Sequence, residues 1–181
     1  MRRIGVFAAL LAALLVALGV SSLAIADNGN KKQLKADAMT GYQENPDVST
    51  VANGSFVVTL DDDARTLTYE LSYSGLEGTV LQSHIHFGKR AINGGITVFL
   101  CGTAGFPGPP GTPTCPQEGT VTRTVTAADI LAPGTQGIEP GNYEELAAAL
   151  RAGHAYANVH STKWAGGEIR AQINDRSEGS D

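Results

Sequence analysis

The sequence predicts an all-β domain, an antiparallel β-sandwich or barrel carrying one short helix. Three observations carry this. Runs such as residues 54–60 (GSFVVTL) and 66–73 (TLTYELSY) alternate apolar and polar side chains with the period of two that a strand imposes. Glycine and proline turns, 22 Gly and 8 Pro in 181 residues, separate about eight such runs. Only one stretch, Asn142 to Arg151, has the spacing and end signals of a real helix.

Taken in order, residues 1–26 read as a signal peptide. Arg2 and Arg3 form a positive start, residues 4–20 are apolar, and Ala24-Ile25-Ala26 is a small-x-small cleavage site. No second apolar run is long enough to span a bilayer, so the mature chain is expected to be secreted and to lack a membrane span. Cleavage leaves 155 residues, the size of one domain, with 11 basic against 18 acidic residues and a formal charge of −7. That balance argues against nucleic acid and anionic membranes as partners, since both need clustered Lys and Arg.

Residues 27–33 are expected to be a flexible leader, polar and without periodicity. A short strand then leads into the Gly41 to Pro46 turn. The hairpin of 54–60 with 66–73 is closed by Asp61-Asp62-Asp63-Ala64-Arg65, which lacks the spaced ligands of a calcium loop and reads as a solvated turn. A strand holds Ser83-His84-Ile85-His86-Phe87-Gly88. Alternation places His84 and His86 on one face, Ile85 and Phe87 on the other. After the Asn93-Gly94-Gly95 turn comes an apolar strand, 96–100. A Gly/Pro-rich excursion follows between Cys101 and Cys115, the only two cysteines. In an exported chain that pair is expected to form a disulfide closing the loop.

Residues 119–125 make another strand, and Thr126 to Asp129 a brief helical turn. In the helix, Asn142 is the N-cap, Glu145 sits three residues on, Leu146 and Leu150 lie one turn apart, Arg151 suits the C-terminal dipole, and Gly153 ends it. Strands over 155–161 and 168–173 follow, and 174–181 is expected to be a disordered tail.

The motifs Gly41-Tyr42-Gln43-Glu44-Asn45-Pro46, His84-Ile85-His86-Phe87-Gly88, Tyr156-Ala157-Asn158-Val159-His160-Ser161 and Gly167-Glu168-Ile169-Arg170-Ala171-Gln172-Ile173 come in the order found in CHRD domains, so residues 34–173 resemble that family. The resemblance implies an immunoglobulin-like or superoxide-dismutase-like sandwich and a place among the stand-alone exported microbial copies of the domain. A looser likeness to the copper/zinc superoxide dismutase sandwich implies His84, His86 and His160 as copper ligands and Arg170 as a cation beside an open position. No bridging histidine and no His/His/Asp zinc loop accompany them, so dismutase activity is not implied.

Two functional readings result. The leading one is a non-enzymatic extracellular binding or structural module for a protein or surface ligand. The alternative is a copper or zinc protein built on His84, His86 and His160, with His154 a weaker fourth ligand and Asn158, Glu168 and Arg170 around it. The competing explanation for the histidines is a plain structural cluster packed on strand faces. Enzyme chemistry finds little support, with no GxSxG elbow. Ser83 and Ser161 each adjoin a histidine, but neighbours on a strand point to opposite faces. The discriminator is geometric. A metal requires the two histidine strands to be neighbours in one sheet, with Ile85 buried and the imidazole nitrogens about 3–4 Å apart around an exposed void.

Overall fold

The structure, a computed structural model, describes residues 30–174. The signal peptide and the tail beyond Asn174 fall outside these. Eight strands form: β1 (Lys31–Thr40), β2 (Asn53–Asp61), β3 (Thr66–Ser74), β4 (Val80–Phe87), β5 (Gly95–Gly102), β6 (Gly119–Val125), β7 (Ala155–Ser161) and β8 (Ile169–Ile173). One α-helix, α1 (Tyr143–Arg151), lies between β6 and β7, and two single 3₁₀ turns occupy Gly41–Gln43 and Ala127–Asp129. Among the described residues, no helix is long and apolar enough to cross a membrane.

All strand pairs are antiparallel, in one sheet of order β5-β4-β7-β8-β1-β2-β3-β6. The sheet curls until its ends approach, and Tyr69 on β3 donates its hydroxyl to the Leu100 carbonyl on β5 across the gap. This is a nearly closed barrel rather than two stacked sheets. Curling lets one continuous core form from the inward-facing residues of every strand, including Phe56, Tyr69, Leu71, Ile85, Leu100, Val121, Val159 and Ile169.

The leader expectation needs correcting. Lys31 to Gln33 belong to β1 and pair with Asp61, Leu60 and Thr59 of β2. Strand pairing is made by backbone groups, so a lysine-rich segment with one inward Leu34 can still join a sheet. The aspartate turn is also more than solvated. Asp62 accepts from the Tyr143 hydroxyl at 2.8 Å and pairs with Arg151 at 2.6 Å, tying α1 to the β2–β3 hairpin, and Asp61 pairs with Lys31 at 3.0 Å. The helix starts as its sequence requires: the Asn142 side chain accepts from the Glu145 N–H at 3.1 Å, and Leu146, Ala147 and Leu150 are buried. Cys101 and Cys115 are bonded, Cα atoms 5.0 Å apart, closing the proline-rich excursion onto β5.

Candidate metal centre

β4, β7 and β8 lie side by side in the sheet. Their inward residues, Ile85, Ala157, Val159, Ile169, Ala171 and Ile173, enter the core. Alternation therefore sends His84, His86, Tyr156, Asn158, His160, Arg170 and Gln172 outward. Register sets them in rows: His84 opposite Asn158, which is opposite Arg170, and His86 opposite Tyr156, which is opposite Gln172. His160 lies opposite Gln82, hence diagonal to His84 rather than directly across from it. Extra residues on β5, Leu100 and Thr97, shift the β4–β5 register on either side of His84 and Ile85, a device that re-aims side chains near sites.

Three segments roof this outward face: the loop after β4, the loop after β7, and the turn after β1. Arg170 holds the first, donating to the Ile92 carbonyl at 2.8 Å and to Asn93 Oδ1 at 3.1 Å while its guanidinium lies 3.5 Å over the Tyr156 ring. Gln172 donates to the Gly88 and Gly153 carbonyls. Gly94 is required where the first loop rejoins β5, since a Cβ there would run into the Phe87 carbonyl. Roofed in this way, His84, His86 and His160 are 0%, 8% and 6% exposed, a buried cluster rather than the exposed void the sequence reading asks for.

Within the cluster the three side chains each present one ring nitrogen, and these atoms all lie within 4.8 Å of one another. His84 Nδ1 and His160 Nε2 are 3.1 Å apart. If both sat about 2.0–2.1 Å from one ion, they would subtend roughly 100° at it, an ordinary tetrahedral-range angle. Two nitrogens on a tetrahedral ion lie about 3.4 Å apart, so closing the widest separation of 4.8 Å takes about 1.5 Å of side-chain movement. The tautomers are set by carbonyl oxygens, which can only accept. His86 Nδ1–H donates to the Gly94 carbonyl at 2.9 Å, and His160 Nδ1–H to the Ala165 carbonyl at 3.0 Å. Both rings thereby turn their Nε2 lone pairs inward, and His86 Nε2 has no hydrogen-bond partner.

Burial keeps all three imidazoles neutral. It pushes His84 down to about 2 and His86 to about 4, the neighbouring histidines adding to the effect, and it lowers His160 as well. Aromatic rings complete the walls: Phe99 edge-on to His84 at 4.4 Å, and Tyr156 stacked on His86 at 4.8 Å.

The remaining sequence candidates divide. Asn158 reaches the cluster, its Oδ1 3.1 Å from His160 Nε2. Glu168 does not orient a histidine. It accepts from Thr50 Oγ1 and from the Glu77 N–H, both at 2.8 Å, and so fastens the turn after β1. Arg170 serves the roof rather than an open position. His154 is exposed at the exit of α1 and lies outside the cluster. Sequence reasoning missed the acceptors that fix His86 and His160, because every residue carries a carbonyl; it missed Phe99 as a wall for lack of a spacing signal.

The fold and site thus define a class: a single-sheet antiparallel β-barrel with a buried histidine cluster on its outward face. The chain belongs to the CHRD domain family, whose model matches residues 36–173. No curated protein and no solved structure matches it.

Proposed function

We propose that the chain is an exported CHRD-domain module that binds one copper or zinc ion through His84, His86 and His160. The observation that supports this reading best is the convergence of three neutral imidazoles from neighbouring strands, two of them locked by backbone carbonyls with Nε2 lone pairs facing the third ring. Plain structural histidines would be expected to use their inward nitrogens on protein donors. Here His86 Nε2 has none. Imidazole donors suit copper and zinc over magnesium or calcium. The ion is bound in a domain that remains a binding module, with no paired nucleophile and base beside it among the described residues. Export is supported by the charged and apolar leader of residues 1–26 and by the Cys101–Cys115 disulfide, a bond favoured outside the reducing cytosol.

The test is elemental analysis followed by calorimetric titration of the metal-stripped mature protein with copper(II) and zinc(II), alongside His84→Ala and His160→Ala. One equivalent of ion in the wild type, and loss of high-affinity binding in both variants, is the expected result. Binding of neither metal, or binding unchanged in the variants, overturns the reading.

A further inference from the structure

We infer that Asn158 Oδ1 is the fourth donor of the site, so that the ion is enclosed by protein rather than left open to water; this rests on the metal reading above. His160 spends its ring proton on the Ala165 carbonyl, so in the neutral ring Nε2 is a bare lone pair. Two groups face that lone pair at 3.1 Å: His84 Nδ1 and Asn158 Oδ1. The first can donate a proton. The second is an amide oxygen, an acceptor meeting an acceptor, at a position only 2% exposed. Buried acceptors converging without a hydrogen between them are costly unless a cation lies among them.

The same carboxamide lies opposite His84 in register, and among the ring nitrogens of the cluster His86 Nε2 has no hydrogen-bond partner. Asn158 thus touches His160 and faces His84 across the strand pair. Its carbonyl completes an N₃O set suited to a four-coordinate ion. A closed four-coordinate site holds its metal without offering a position for water or substrate. The function this assigns is retention of a copper or zinc ion, as in sequestration or structural loading, and not activation of water or an oxygen species.

Cobalt(II) titrated into the metal-stripped mature protein provides the test, because its visible spectrum reports coordination number. The arms are wild type, Asn158→Ala and Asn158→Asp, each checked for folding by circular dichroism, with thiocyanate added last. In the wild type, intense four-coordinate absorption unmoved by thiocyanate is expected. Asn158→Ala is expected to bind at least ~10-fold more weakly and to become thiocyanate-sensitive, while Asn158→Asp, which keeps the oxygen, retains tight binding. A wild-type spectrum that shifts with thiocyanate overturns the inference without needing any variant. So does an Asn158→Ala protein with unchanged affinity and spectrum, which would mean that the amide turns its NH₂ to His160 and only positions the ring. Failure of the wild type to bind cobalt, zinc or copper at all sinks the metal reading itself, an outcome distinct from these.

Discussion

The two halves of the barrel treat their outward faces differently. On β3 and β6 the burial alternates strictly: Leu67, Tyr69, Leu71 and Val121 point in, and Thr68, Glu70, Thr122 and Thr124 stand in solvent. On β7 and β8 every residue is buried on both faces. A strand covered on both sides ordinarily reads as continuously apolar. Here the second buried face is His, Asn, Arg, Gln and Tyr. Burying such groups is expensive unless each is partnered. The difference teaches where the fold accepts a cost that core formation does not require, and that is the face on which we propose the ion binds.

The comparison breaks first at its arginines. Arg170→Ala would strip the buried donor from the Ile92 carbonyl and Asn93 and empty the space over Tyr156. A loss of about 2–4 kcal/mol in chemical denaturation is expected, from the orphaned acceptors and the lost packing. Arg123→Ala, in the other half where the part-buried Arg123 pairs with Asp129 at 2.6 Å, should cost less, about 1–2 kcal/mol. Equal losses would mean that the roofed face is no more tightly knit than the open one. Next in size is the disulfide. Replacing Cys101 and Cys115 together by Ser should lower stability by about 3 kcal/mol, through freedom returned to the unfolded chain. An unchanged denaturation midpoint would argue against this.

Glu44 gives a pH-dependent version of the same contrast. Packed against Gly167 under the roof, it is pushed up to about 7 by burial, which outweighs the attraction of Arg170. A folded value above the unfolded 4.5 means that the native state keeps a proton the unfolded state has released. Its contribution is fully favourable below the unfolded value and is lost as pH rises through about 7. Glu44→Gln should therefore match the wild type near about pH 4 and exceed it by on the order of 2 kcal/mol near about pH 8. A variant less stable than wild type at the higher pH would show that the carboxylate is compensated. The smallest effect belongs to the open half. Thr124→Ala, which removes an exposed hydroxyl contact with Thr68 at 3.0 Å, should change stability by no more than about 0.5 kcal/mol.

This contrast also explains what could be read from the residues alone. The open half was legible because alternation is the imprint of one wet and one dry face: residues 119–125 are β6 to the residue, and the 54–60 and 66–73 runs fall inside β2 and β3. The helix and its Asn142 cap were legible for a similar local reason. On the roofed half, alternation still sorted the faces of β4 correctly, with Ile85 inward and His84 and His86 outward. Nothing in Tyr156, Asn158 or Arg170 announced that the outward face would be covered, since a buried polar residue and a solvated one are the same letter. The cover comes from loops whose contacts are made by backbone carbonyls at Ile92, Gly94 and Ala165. The β1 start was missed for the same reason, its pairing being written in backbone groups and not in side chains.

The most direct measurement is anomalous diffraction from crystals of the zinc- or copper-loaded mature protein, recorded on both sides of the metal's absorption edge. The expected result is one strong peak on the outward face between β4 and β7, about 2.0–2.1 Å from a nitrogen of each of His84, His86 and His160. The absence of a peak there, with the three rings instead hydrogen-bonded to protein or water through their inward nitrogens, would contradict the account.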